Sequence, residues 1–313
     1  MRITPAAPVY KIKIMAERPS GQAADIRKLG IVVGTICNFN CSHCLIKKED
    51  RRARLSRKEV RLLCDTVEEY RPKSILFTGG EPTFRIKEIN EIISSHPRSE
   101  NLKITLTTNG HFAGTVSSAK KVLSSFSKLD YVQLSYDAFH KVFLPLSKAK
   151  NLYTACMESK IGFSAILTMS SPLDLVLVKQ LRSLGRFKIG IQKVASIGEA
   201  KRNGIRFIFP CFDNKVLSKY CPSRNSPGYI CGRGFSICCA ELAFNTSMPG
   251  VFHPTLAEHL ASPLYGLMRK HSFSELIKIL RVPRKSLLPD HSSECVLCDH
   301  IFKNARRKVL LTP

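Results

Sequence analysis

Between Leu29 and Gly204, six short apolar runs alternate with amphipathic stretches, and this alternation limits the fold more than any other feature. The runs are LGIVVG (29–34), SILFTGG (74–80), LKITLTTNG (102–110), DYVQLSYDA (130–138), GFSAILTM (162–169) and FKIGIQKV (187–194). Each has the length and the β-branched and aromatic content of a buried parallel strand. Between them the apolar period becomes helical. Ser56 and Glu59 form a capping box, followed by Val60, Leu63, Cys64 and Val67 on one face. Ile86, Ile89, Ile92 and Ile93 mark a second helix ending near His96-Pro97. Ala119, Val122, Leu123 and Phe126 mark a third, and Leu173 to Leu184 another. Six strand–helix repeats predict a parallel α/β sheet, curled or doubly wound.

Catalytic groups in such folds collect at the C-terminal ends of the strands. The informative motifs fall there: CNFNCSHC after the first run, GGEP after the second, TNG after the third and SYDA at the end of the fourth. The N-terminus has no apolar signal region, and no segment has the roughly 18 apolar residues a membrane span needs. The expectation is a cytoplasmic protein, where 12 cysteines read as metal ligands or reactive thiols rather than disulfides. The loop Cys37–Cys44 is too short and irregular for a helix, and its spacing lets three sulfurs converge. A structural zinc takes four protein ligands. Three thiolates suit a four-iron four-sulfur cube with one iron left open.

CNFNCSHC, followed by GGEP, TNG and SYDAFH at successive strand ends, resembles the radical S-adenosylmethionine superfamily over roughly residues 29–200. The resemblance implies a partial (β/α)6 TIM-like barrel. It implies a four-iron four-sulfur cluster on Cys37, Cys41 and Cys44, with S-adenosylmethionine chelated at the open iron and an electron donor such as flavodoxin or ferredoxin. Gly79 and Gly80 would let the backbone approach the methionyl group, since neither has a Cβ. Glu81 would pair with its ammonium. Ser135 and Asp137, two apart on one strand, would face the same side and bond ribose hydroxyls or the methionyl carboxylate. Asn109 and His140 are further candidates. His43 stands where the family carries an aromatic ring that stacks near adenine. A zinc site with coincidental glycines is the alternative.

A second cysteine group follows. Cys221, twelve residues, Gly234, four residues and Cys239 precede CVLC, which holds Cys295 and Cys298. This resembles the family's auxiliary-cluster domains, the twitch type more than SPASM, because only one CxxC remains. The resemblance implies a second four-iron four-sulfur cluster on Cys221, Cys239, Cys295 and Cys298; structural zinc could use the same thiolates. FSICCA reads as a strand, so Cys238 and Cys239 should point to opposite faces and not share a cluster. That leaves Cys238 as a catalytic hydrogen-atom donor, with Cys231 as second choice, or as a small core hydrophobe. Cys64 and Cys156 read as core.

Residues 1–28 are expected to be an extension with VYKIKIM as an edge strand, 29–204 the barrel, and 205–313 a small C-terminal Cys-rich auxiliary-cluster domain. The charge balance, 49 − 24 = +25, favours anionic partners. The run KKEDRRARLSRK reads as a solvated helix entrance before it reads as a guide for an anionic substrate. It lacks the aromatics of single-strand nucleic-acid binders. The expected activity is reductive cleavage of S-adenosylmethionine and hydrogen abstraction from a small-molecule or peptide substrate. Epimerisation of a sugar-type or peptide carbon is the first specific expectation and oxidation using the auxiliary cluster as electron acceptor the second. A zinc-stabilised, basic nucleic-acid-binding protein is the alternative of a different class.

Overall fold

A computed structural model describes residues 26–244 and 248–305. The proposed N-terminal edge strand and most of the basic tail lie outside the described residues. All six apolar runs form strands: β1 (Lys28–Val32), β2 (Ser74–Thr78), β3 (Lys103–Thr108), β4 (Tyr131–Ser135), β5 (Gly162–Met169) and β6 (Lys188–Lys193). They pair in sequence order and in parallel. Helices α1 (Arg57–Tyr70), α2 (Ile86–Ser94), α3 (Val116–Leu123), α4 (Leu146–Glu158), α5 (Val176–Arg182) and α6 (Gly198–Arg202) follow the strands. The fold is α/β, a partial (β/α)6 barrel.

The sheet continues past β1. Strand β7 (Gly228–Ile230) pairs parallel with β1, and β8 (Gly234–Ser236) pairs antiparallel with β7. The full order is β6-β5-β4-β3-β2-β1-β7-β8. Helices α7 (Glu241–Phe244), α8 (Leu256–Ala261), α9 (Pro263–Lys270), α10 (Phe273–Ile279) and α11 (Glu294–Lys303) complete the chain. No described helix is long and apolar enough to cross a membrane.

The local signals act as the sequence suggests. Ser56 accepts from the Glu59 amide while Glu59 bonds back, so the capping box starts α1. Val60, Leu63 and Val67 then pack with Ile89, Ile92 and Ile93 of α2 over Ile31, Ile75, Phe77 and Leu106 of the sheet. A second apolar layer joins α3 and α4 to β4 and β5 and reaches Phe39 and Cys41. Strand β6 departs from the buried-strand expectation. Lys188, Ile191, Gln192 and Lys193 are exposed, because β6 is the edge of the sheet. A third cluster packs Val216, Leu242, Val251 and residues of α9, α10 and α11 around Cys298.

Candidate active site

The Cys37–Cys44 loop leaves the C-terminal end of β1 and is tied down at its base. Thr35 N–H donates to Ala53 O at 2.9 Å, the Ala53 amide returns a bond to Thr35 Oγ1 at 2.9 Å, and Thr35 Oγ1 donates to Asp50 O at 2.6 Å. Arg51, inside the basic run, reaches back over the loop. Its guanidinium donates to Phe39 O at 3.2 Å, to Asn40 Oδ1 at 3.1 Å and to Ile46 O at 3.4 Å. That side chain is a loop clamp, a role its sequence context did not reveal.

The loop's other flank rests on α6. Gly198 has φ +55, and a Cβ there would lie 2.2 Å from Leu45 O. Glu199 N–H donates to Cys44 O at 2.9 Å, and its buried carboxylate accepts from Lys48 N at 2.9 Å. Neither residue was picked out in the sequence; the signal was SIGEA at the end of the sixth run.

Gly79 and Gly80 pack against the cysteine loop itself. A Cβ on Gly79 (φ +149) would meet Gly34 O at 2.4 Å, and one on Gly80 would meet Ile36 O at 2.1 Å. Gly80 N–H donates to Gly34 O and Glu81 N–H to Ile36 O, at 2.9 and 2.8 Å. The close approach these glycines permit in the structure is to protein backbone. Glu81 is 2% exposed. Its carboxylate accepts from Thr83 N, Thr83 Oγ1, Thr108 Oγ1 and Asn109 N, at 2.7 to 3.1 Å. Asn109 Nδ2 in turn lies 3.0 Å from Asn38 Oδ1 and 3.6 Å from Cys37 Sγ. Glu81 and Asn109 thereby lock the ends of β2 and β3 to the loop.

Asp137 is placed differently from expectation. Strand β4 ends at Ser135, so Asp137 lies in the turn beyond it and the shared-face argument fails. Its carboxylate is buried and accepts from the amides of Phe139 and His140 at 3.0 and 2.9 Å. Asp137 also meets His140 Nδ1 at 2.9 Å and His43 Nε2 at 3.5 Å. Burial opposes ionisation of Asp137, but the His140 contact outweighs it and holds the carboxyl below its ordinary value. Burial also opposes charge on His140, yet Asp137 and Cys41 win and raise it to about 10. His43 is pushed down to about 4 by burial, with Asp137 opposing. The result at neutral pH is an Asp137–His140 ion pair beside a neutral His43 ring.

His43 stacks on Phe139 with ring centroids 4.3 Å apart. Cys41 Sγ and ring nitrogens of His43 and His140 lie within 4.8 Å of one another. Burial raises the Cys37 thiol to about 11 and also raises Cys44, against the pull of the Ile46 amide and Arg51. Cys37 Sγ accepts from Phe39 N at 3.4 Å. Three soft sulfurs with N–H donors aimed at one of them fit an iron–sulfur cluster. Among the described residues, His43 Nδ1 and Tyr136 Oη are buried without a hydrogen-bond partner. Orphaned polar atoms at such a place fit a polar guest that would bond them.

The second cysteine group is also brought together. Cys221 and Cys238 pack against the apolar cluster that contains Cys298. Cys221, Cys238 and Cys239 lie close enough to Cys295 to shift its thiol, though burial is the larger cause of its rise. The strand reading of FSICCA is corrected: β8 stops at Ser236, and Cys238 and Cys239 lie in the bend that follows. Cys231 is buried at the end of β7, with its amide donating to Val32 O at 3.1 Å. Cys156 is fully buried as expected, Cys64 packs half-buried on α1, and Cys211 is exposed.

Residues 31–159 match the family described as Radical SAM superfamily. A probable GTP 3′,8-cyclase of Sulfurisphaera tokodaii is 31% identical over 117 residues, 37% of this chain and 36% of that one. The Fe-coproporphyrin III synthase of Methanosarcina barkeri is 34% identical over 76 residues, 24% of this chain and 18% of that one. The chain thus spans about a third or less of the length of these curated relatives. Among solved structures, anSMEcpe with bound AdoMet and Kp18Cys peptide aligns with a TM-score of 0.49 at 14% identity, covering 89% of this chain and 96% of that one. Streptococcus suis SuiB bound to precursor peptide SuiA aligns with a TM-score of 0.46 at 18% identity, covering 78% and 67%.

Proposed function

We propose, from the radical S-adenosylmethionine domain that residues 31–159 form, that the chain is an enzyme using an iron–sulfur cluster on Cys37, Cys41 and Cys44. When bound, the cluster and S-adenosylmethionine supply one chemistry: reductive cleavage of the sulfonium C–S bond to a 5′-deoxyadenosyl radical that takes a hydrogen atom from substrate. The chain's residues prepare the place. Arg51, Thr35 and Glu199 fix the loop that carries the sulfurs. Glu81, its carboxylate taken up by Thr83, Thr108 and Asn109, holds the ends of β2 and β3 against that loop. His43, held flat on Phe139, offers a ring face and an unpaired nitrogen suited to a purine. Ser135 remains a candidate for a ribose hydroxyl. The observation that carries this reading is the convergence of the cysteine loop, Glu81 and Asn109 at the C-terminal ends of β1, β2 and β3.

Two finer outcomes follow. In oxidation, the substrate radical gives up one electron and one proton, and a second iron–sulfur centre on the C-terminal cysteines accepts the electron. This reading is preferred, because Cys238 is packed among the other C-terminal cysteines rather than standing free as a donor. In epimerisation of a sugar-type or peptide carbon, a thiol returns a hydrogen atom. Cys231 is the other thiol proposed for that step; it follows β7 and is buried in the apolar layer that includes Val60 and Tyr229. The net charge of +25 favours an anionic substrate. A nucleotide, suggested by the relatives' names, and a peptide are the classes to assay first.

The test is anaerobic reconstitution with iron and sulfide, then dithionite and S-adenosylmethionine. The expected result is brown protein with roughly eight irons per chain, two four-iron clusters, producing equal methionine and 5′-deoxyadenosine. Colourless protein that holds only zinc and leaves the cofactor whole would sink the proposal. In D2O, deuterium on the product carbon marks epimerisation, and a product two hydrogens lighter marks oxidation.

A further inference from the structure

We infer that Cys238, not Cys239, joins Cys221, Cys295 and Cys298 as the fourth protein ligand of the second metal centre. The inference rests on the reading that the C-terminal cysteines hold a metal. Spacing from Gly234 pointed to Cys239, and a strand through FSICCA separated the two neighbours. The strand ends two residues too early for that argument.

The chain places the adjacent thiols in different surroundings. Cys238 packs against the apolar cluster that includes Leu297 and Cys298 and that Cys221 also borders. Its sulfur accepts a bond from Ala240 N at 3.5 Å, and its own amide donates to Ser236 Oγ at 3.0 Å. These two bonds fix the sulfur's position, and N–H donation to sulfur is a usual support for a cluster ligand. Cys239 is exposed, with its sulfur 3.5 Å from Ser223 Oγ. Cys238 also lies close to both Cys295 and Cys298. Cys295 and Cys298 stand three apart on α11, so they lie on neighbouring faces of one helix. A centre seated between α11 and the bend after β8 meets Cys238 on its buried side. Cys239 also lies near Cys221 and Cys295, but it is the exposed one of the two adjacent thiols.

The experiment compares full-length Cys238→Ala and Cys239→Ala with the unaltered protein, each reconstituted anaerobically and assayed for iron, sulfide and zinc. Expected is a loss of roughly half the iron in Cys238→Ala, one four-iron cluster of two, and no loss in Cys239→Ala. Iodoacetamide labelling of the unaltered, metal-loaded protein, mapped by mass spectrometry, supplies a readout independent of folding of the variants. It should modify Cys239 and spare Cys238. Loss of metal in Cys239→Ala, or labelling of Cys238 with Cys239 spared, overturns the assignment. If zinc rather than iron fills the centre, the same comparison reads the ligand set through zinc. If the unaltered protein holds only about four irons and no zinc, the second centre itself is refuted, and the ligand assignment falls with it.

Discussion

The two cysteine groups are built on opposite plans. Cys37, Cys41 and Cys44 lie on one loop, shaped by backbone bonds to Ala53, Gly80 and Glu81 and by the Arg51 clamp. Around them stand Glu81, Asn109, Asp137 and His140, a polar wall at the mouth of a parallel sheet. Cys221, Cys238 and the α11 pair Cys295 and Cys298 come from three separate segments, with Cys221, Cys238 and Cys298 gathered by packing of Leu242, Leu267, Met268, Leu297 and Ile301. Three thiols set between that polar wall and the apolar layer that takes in Cys41 leave room for a charged guest. Four thiols in an apolar setting close a site on itself. Under the assignments proposed above, the same residue type would serve an open centre and a closed one, with the neighbours deciding which.

The largest test of this contrast is Cys41→Ala. Cleavage of S-adenosylmethionine should fall to background and the first centre's iron should be lost, while metal in the C-terminal group persists. Loss of all metal would mean the two centres are not separate units. Gly80→Ala comes next. The added methyl would lie 2.1 Å from Ile36 O, where backbone must move. A cost of about 3 kcal/mol in urea unfolding is expected, with iron lost from the first centre only. Gly232→Ala is the control: φ is +75 with nothing within 4 Å, so only backbone strain of about 1–2 kcal/mol should appear. Glu81→Gln keeps the shape but turns an amide donor towards groups that themselves donate. It should cost about 1–3 kcal/mol and weaken S-adenosylmethionine binding measured by calorimetry.

The smallest effect concerns the joint between the two halves. Glu59 caps α1 and also accepts from Tyr229 Oη at 2.9 Å and Gly232 N at 2.7 Å, holding the β7–β8 hairpin to the barrel. Burial opposes ionisation of its carboxyl, but hydrogen bonds from Ser56, Gly232 and Tyr229 outweigh it and lower the pKa. A lowered folded-state pKa contributes stability above the ordinary carboxylate value of about 4.3. That stability is lost as pH falls through the folded value. Glu59→Gln should therefore lower the melting temperature at pH 7, and the gap from the unaltered protein should narrow as pH falls below the ordinary carboxylate value.

The strands, the capping box and the cysteine triad were legible because each is a local pattern: a period, a cap or a spacing. What escaped is non-local. Nothing in GYI or GFS signals that the hairpin pairs beside β1, since that pairing depends on a strand about two hundred residues earlier. Arg51 reads as one cation in a basic run, and its role appears only when the loop folds under it. Asp137 looked like a cofactor ligand from its motif. The turn after Ser135 sets its carboxylate against His140 and His43, a placement that two-residue strand alternation does not give. FSICCA carries strand-forming residues for longer than the strand lasts, since β8 ends at Ser236.

Glu199 and Gly198 have one more consequence. The Lys48–Glu199 bond spans 151 positions, so the first cysteine loop gains its final buttress only when the chain beyond β6 has been made and docked. During synthesis the three thiols emerge long before their support. Metal captured at that stage would be held by a slack loop, and durable insertion belongs to the finished barrel.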